Sequence, residues 1–382
     1  MKKLLIATAA FAMVAGTAQA QSTVEVYGVL DIGYASESKT AVTAASAAAG
    51  ATTDAQGVNT GAGLSSSRLG FRGTEDLGGG LKAGFIYELG VTAENAVTAH
   101  STRQALVSLS SASLGSLSMG RGNTLGKNTN DGFTAFSGGG SFEQGAVTLE
   151  ITRGEEMSNA TAVKTKPIAD RASNQATYTT PSFGGVTFAA QLISKSVDSD
   201  AAAKGGETSS SGTAFQLAYA GKGFTAAYTR SDLDTEVEAA AAVANTSTTV
   251  GGSLGSAAVT ASKAETKLDQ FGATYTTGNF KVFGLYNTVK YKANATTAEA
   301  ENKGYDIGAT YTMGKTTLLA SIGDGEMKTA TGVKTDVKGY QAQVRYALSK
   351  RTTAYALYGK TEFEAAEKGE SDVTMIGVRH TF

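Results

Sequence analysis

The charged side chains that could do chemistry in this sequence fall within short apolar stretches. Arg68 and Arg72 stand four residues apart in SRLGFRG, and Lys82 follows in LKAGFIYEL. Arg121 sits in MGRGN, Arg171 opens RASNQATYTT and Arg345 lies within GYQAQVRYAL. A guanidinium is a permanent cation with five donors, so a group of them attracts anions and orients dipoles without making or breaking a bond. Bond-making chemistry has no comparable pattern. The chain has no cysteine, which excludes a thiol nucleophile, and its two histidines, His100 and His380, are far apart with no metal-ligand spacing. Serines are plentiful, but no recognised nucleophile motif surrounds them, and among 47 glycines a GxSxG-like match carries little weight. Gly78 to Gly80 form a turn rather than a phosphate cradle, because no helical pattern follows. These residues point to a protein that is not an enzyme and holds no cofactor or metal.

Strands must position the charges. In GYQAQVRYAL, Tyr340, Ala342, Val344, Tyr346 and Leu348 share one parity, and Gln341, Gln343 and Arg345 the other. VEVYGVLDIGY sets Val24, Val26, Leu30, Ile32 and Tyr34 against Glu25, Tyr27 and Asp31. SRLGFRG sets Leu69 and Phe71 against Arg68 and Arg72, and LKAGFIYEL sets Leu81, Phe85, Tyr87 and Leu89 against Lys82 and Glu88. The same period recurs in VTFAAQL, AFQLAYA, FTAAYTR, DQFGATYT and GYDIGATYT, and no helical period of comparable length competes.

The opening MKKLLIATAAFAMVAGTAQA has a basic start, a short apolar run and a small-residue cleavage pattern. It reads as a secretory leader over 1–20, with 21–382 as the mature domain. Lys and Arg number 33 against 34 Asp and Glu, a balance that argues against a nucleic-acid partner. After residue 20 no stretch approaches the roughly 18 apolar residues of a membrane helix. The exported chain is therefore either soluble, as a β-sandwich or adhesin, or a barrel that crosses lipid with strands of about ten residues.

The connections favour the barrel. TEDLGGG, SASLGS, PSFGG, AGKG, TTGN, TMGK and LSKR are short turns. They alternate with long polar segments at Glu37 to Gly63, Asn123 to Asp170, Ser196 to Ser211 and Asp234 to Thr266, and shorter ones near Ala293, Glu326 and Glu364. One end of the sheet is trimmed and the other elaborated, as in barrels with short periplasmic turns and long external loops. Counting segments predicts an all-β, antiparallel transmembrane barrel of about sixteen strands, enough to leave an aqueous lumen. Tyrosines 34, 178, 219, 228, 275, 286, 311, 340, 346 and 358 lie in these strands, many toward an end, where an interfacial girdle would place them. The closing DVTMIGVRHTF is the last strand, with Ile376, Val378, His380 and Phe382 outward. It must pair with Val24 to Tyr34, since lipid tolerates no open edge.

SRLGFRGTEDLGGGLKAGFIYELG, RQALVSLSSASLGSLSMGRGN, RASNQATYTTPSFGG, YALSKRTTAYALYGK and GVRHTF together resemble the Gram-negative general porins, especially those of beta-proteobacterial type. The resemblance implies a homotrimer in outer-membrane lipid, each barrel a water-filled channel for ions and small hydrophilic solutes. It implies that the third external loop, 122–170 here, folds into the lumen as a constriction. Wall cations, for which Arg68, Arg72, Lys82, Arg121, Arg171 and Arg345 are the candidates, would face acids on that loop. Asp131 in NTNDGF and Glu143 in GGGSFEQG are the candidate acids. A terminal aromatic, here Phe382, would be the signal read by the barrel assembly machinery. A substrate-specific outer-membrane channel is the alternative, with a barrel enzyme or adhesin behind it. Anion or cation preference stays open at this point.

Overall fold

The computed structural model describes residues 23–40, 52–59, 63–92, 101–134, 170–198, 208–237, 262–294, 296–364 and 368–382. The expected leader and Glu143 lie outside them. Seventeen strands follow in order: β1 (Thr23–Thr40), β2 (Thr52–Asn59), β3 (Arg68–Gly78), β4 (Leu81–Gly90), β5 (Thr102–Ser111), β6 (Gly115–Asn123), β7 (Arg171–Thr179), β8 (Val186–Asp198) and β9 (Thr208–Gly221). Then come β10 (Phe224–Val237), β11 (Ser262–Thr277), β12 (Phe280–Lys292), β13 (Ala300–Met313), β14 (Thr316–Lys328), β15 (Lys334–Ala347), β16 (Thr352–Glu364) and β17 (Lys368–Thr381). One helix, α1 (Leu125–Phe133), follows β6.

Neighbouring strands pair antiparallel around the ring, and β1 closes on β17 from Val29 opposite Thr381 to Thr40 opposite Glu370. The wall has sixteen positions because β2 and β3 share one. Thr23 to Val29 of β1 pair with β3, while Gly33 to Thr40 pair with β2. Between β2 and β3, residues 63–67 leave the wall, and Leu64, Ser65 and Ser67 become buried inside. Backbone pairing also continues through the last residue, as Gly28 N donates to the Phe382 carbonyl (3.0 Å) and Phe382 N to the Gly28 carbonyl (3.1 Å). The Phe382 ring fills the slot that Gly28 leaves empty.

The apolar pattern is inside out. Val24 is 70% exposed and Ile376 68%, while Asp31 on the opposite parity is 0% and Gln341 3%. A water-soluble sandwich would bury the first set; lipid reverses the preference. All ten tyrosines expected at the girdle are exposed on the outer face. Tyr228, Phe271, Tyr286 and Tyr305 are register neighbours in one row, and Phe224 with Tyr275 and Phe280 with Tyr311 form another nearer the turns.

The short connections are tight turns. In AGKG, Lys222 (φ 44°) and Gly223 (φ 80°) both take the left-handed conformation that a two-residue hairpin demands. At the other end, strands run further than alternation suggests. β1 reaches Thr40, β10 reaches Val237, and β2 lies wholly inside the expected Glu37 to Gly63 loop. Beyond the lipid the outer face no longer needs apolar side chains, so the pattern fades while the backbone ladder persists. The sequence pattern also holds no sign of α1, which occupies the start of the third loop. Its local cause is an N-cap: Thr124 Oγ1 accepts from Lys127 N at 3.1 Å.

Candidate functional site

The wall formed by β1, β3, β4, β5 and β7 gathers cations inside the lumen. At its centre is Glu88, 2% exposed. Arg103 Nε donates to Glu88 Oε1 at 2.7 Å and the Tyr27 hydroxyl to Oε2 at 3.0 Å. Tyr27 reaches Glu88 by lying flat across β3 at Gly70, where any side chain would strike its ring. Arg68 and Arg103 lie within electrostatic reach of the same carboxylate. Arg171 lies within reach of Arg103, Glu88, Arg68 and Asp170, and its Nε has no hydrogen-bond partner among the described residues. Among the described residues, three guanidinium groups thus lie around the carboxylates of Glu88 and Asp170.

Nearer the turns, Arg72 makes a bidentate pair with Glu25 (2.8 and 3.0 Å), its guanidinium carbon 4.9 Å from the Tyr27 ring centre. Both partners are more than half exposed, so this pair contributes little to stability.

Across the ring, α1 lies against the inner face of β8 to β12. Leu125 packs on Ala189 and Ala214, and Phe133 on Ala227 and Leu285. Neutral hydrogen bonds fix its register. Gln191 Oε1 accepts from Leu125 N (3.2 Å), and Gln216 Nε2 donates to the Thr129 and Thr229 hydroxyls (2.9 and 3.1 Å). Gln270 Nε2 donates to Asn130 Oδ1 and to Asn287 Oδ1 (2.9 Å). Phe133 sits on Gly272, whose missing side chain makes its seat. Gly272→Leu should therefore unseat the ring at a cost of about 1–3 kcal/mol. The expected result is a larger single-channel conductance in a planar bilayer; an unchanged conductance would mean that α1 does not narrow the path.

A second buried group ties the closure seam. Asp31 on β1 accepts from Ser65 N (2.7 Å) and from the Tyr355 hydroxyl on β16 (2.6 Å). Its own backbone is bracketed by Ser67, whose Oγ accepts from Asp31 N (2.9 Å) and donates to the Asp31 carbonyl (3.1 Å). Tyr355 spans β17 at Gly377, repeating the arrangement of Tyr27 over Gly70. This clasp holds residues 63–67 inside the barrel.

The expected site residues divide accordingly. Arg68 and Arg171 come together, with Arg72 below them. Lys82 stands exposed opposite Asp76 near the turn, six residues from Glu88 and so roughly 20 Å down the strand. Arg345 lies on β15, its Nε donating to Gln343 Oε1 (3.2 Å), away from this group. Arg121 departs from expectation. The register sets it opposite Ala105, on the outward parity of Leu117 and Met119. Its guanidinium binds the Thr102 carbonyl (2.8 Å) and the Ser173 hydroxyl (2.9 Å) at the strand ends. Asp131 does not present a free charge to the arginines, because Lys127, one turn earlier in α1, pairs with it. Sequence reading passed over Arg103. Its parity is that of the outward Val107 and Leu109, but a bulge where β4 meets β5 turns it inward.

An inside-out barrel whose charged lumen is narrowed by an inward segment of its third long connection is a transmembrane pore protein of the bacterial outer membrane. More specifically, the chain belongs to the Gram-negative porin family, whose model matches residues 7–366. It is 37% identical over 189 residues to outer membrane porin protein 32 of Delftia acidovorans, covering 48% of this chain and 47% of that protein. It is 34% identical over 212 residues to an outer membrane porin protein of Bordetella pertussis, covering 53% and 50%. The aligned part thus spans about half the length of these relatives. Among solved structures, the anion-selective porin from Comamonas acidovorans superposes over 95% of this chain and 100% of its own, with a TM-score of 0.67 at 22% identity. The trimer form of OmpT, an outer membrane protein of Vibrio cholerae, superposes over 94% and 99%, with a TM-score of 0.62 at 14% identity.

Proposed function

We propose that the protein is a passive-diffusion channel for ions and small hydrophilic solutes, with a preference for anions. The observation that carries this is the grouping of Arg68, Arg103 and Arg171 around the buried carboxylate of Glu88, across the lumen from a helix whose own charges cancel. Fixed charge at a narrow point selects the ions that enter, and the absence of tight chelation lets them leave. A relative described as anion-selective and the shared barrel fold agree with this reading. The protein acts as a homotrimer. Its contact face is the outer side of β5, β6 and the first half of β1, where Val24, Val26, Leu30, Val107, Leu109 and Met119 are exposed and not aromatic. Phe382, which completes the seam with Gly28, serves as the assembly signal.

Recording the purified protein in a planar bilayer under a salt gradient tests this. Conductance in steps of three, with a reversal potential on the anion side, is expected. No conductance at all would overturn the channel, and a cation-side potential would overturn the anion preference.

A further inference from the structure

Two strands have an outer stretch that is paired on one side only among the described residues. β8 beyond Ile193 keeps β9 but no longer has β7, and β2 has β1 alone. An edge strand offers a row of N–H and C=O groups that can template another chain, and native proteins blunt such edges with bulges, lysines or cover. β8 has all three. Its register shifts between Ile193 and Ser196, Lys195 stands exposed and pairs with Glu236 (3.4 Å), and Asn174 Nδ2 donates to the Lys195 carbonyl (3.4 Å).

β2 has none of these. Its sequence, TTDAQGVN, pairs with β1 in unbroken register from Asn59 opposite Gly33 to Thr52 opposite Thr40, and contains no lysine, arginine or proline. Its one charge, Asp54, is turned back on β1, where Oδ1 accepts from the Ser38 hydroxyl at 2.7 Å. Thr52, Asp54, Ala55, Gln56 and Val58 are exposed, and a side chain added at Gly57 would meet nothing. The position of this bare edge limits what can reach it. Val58 stands opposite Tyr34 at the girdle, and Thr52 lies six residues further out, roughly 15 Å higher on a strand tilted about 40°. The edge therefore rises into water, where its partner must bring backbone groups. β2 also shares its wall position with β3, beside the half of β1 that carries Val24, Val26 and Leu30 on the proposed contact face. A second barrel docked on that face lies in the same membrane at the same height, so its own long strands reach the level of β2.

We infer that the far edge of β2 is a pairing edge between subunits, taken by an extended segment of a second copy of this chain. The inference rests on the homotrimer proposed above and deepens it. Every second residue of a strand turns its N–H and C=O to the same side, so the added segment makes about four backbone hydrogen bonds. A head-to-tail contact of this kind closes into a ring when a threefold rotation repeats it.

The test is backbone hydrogen exchange of the full barrel in detergent, read by mass spectrometry on the trimer and on the folded monomer that a harsher detergent releases. The peptide covering Thr52–Asn59 should exchange about tenfold more slowly in the trimer. Gln56→Lys with Val58→Lys gives β2 the kind of guard that β8 has. It should abolish the difference and lower the temperature at which the trimer dissociates, while the monomer's circular dichroism melt stays that of the parent. Gln56→Thr with Val58→Thr, which adds no charge, should behave as the parent does. Equally slow exchange in trimer and monomer would assign the cover to the same chain, and equally fast exchange would leave the edge bare. Either result overturns the inference while the trimer stands. A protein that is monomeric in every detergent would overturn the trimer, and the pairing with it.

Discussion

Replacing Arg68 and Arg171 together by glutamine should shift the permeability ratio of the pore toward cations by about fivefold. On this wall Arg103 pairs with Glu88, and Arg72 with Glu25. Arg68 and Arg171 add two further guanidinium groups near Glu88, and Asp170 lies within reach of Arg171. A unit charge about 8 Å from a passing ion contributes about 0.5 kcal/mol at the dielectric of water. Two such charges make about 1 kcal/mol, which is about fivefold. Because Glu88 keeps both Arg103 and Tyr27, the double variant should fold. Reversal potential in a salt gradient reads the result, and Arg68→Lys with Arg171→Lys should restore the parent value. A glutamine variant with unaltered selectivity would place the narrowest point elsewhere.

The second large effect concerns the seam. Tyr355→Phe removes one donor from a carboxylate that has no exposure to water, at an expected cost of about 1–3 kcal/mol. Asp31→Ala should cost more, since it removes the acceptor of both the Tyr355 hydroxyl and Ser65 N at once. The chain contains no tryptophan, so loss of far-ultraviolet circular dichroism on heating is the suitable readout. Ile32→Ala, next along the strand but facing lipid, is the comparison: it touches no part of the clasp. A Tyr355→Phe barrel that melts with the parent would show that the seam holds without it.

Parity carried most of the fold. Wherever a strand crosses lipid, one face must be apolar, and Val24 to Tyr34, Phe71, Tyr340 to Tyr346 and Ile376 to Phe382 could be sorted on that ground alone. The same rule sets Arg68 and Arg72 on the parity opposite the exposed Phe71. It fails where the ladder slips. A bulge brings Arg103 inside against its parity, while Arg121, placed on the pore wall by resemblance, keeps the outward parity of Met119. Neither Glu88 nor Asp31 announces itself in the sequence, because what makes each a hub is a tyrosine lying over a glycine two positions around the ring. Such contacts join residues 61 and 324 apart in the chain, and no local spacing encodes them. Helix α1 was hidden for a related reason: its apolar face is two residues, Leu125 and Phe133, seated on glycine and alanine of the wall.

The strands differ in length by a factor of two, and this shapes the entrance. β6 and β7 have 9 residues each, and β1 has 18. At a tilt of about 40°, 9 residues rise about 23 Å, close to the thickness of the apolar band, while 18 rise about 45 Å. Among the described residues the sheet therefore ends at unequal heights, low at β6 and β7 and high at β1 and at the strands behind α1. Its tall side stands about 20 Å clear of the band, more than two screening lengths at physiological ionic strength. Solutes drawn past that parapet are sampled from bulk water rather than from the layer whose composition the membrane's own charge distorts.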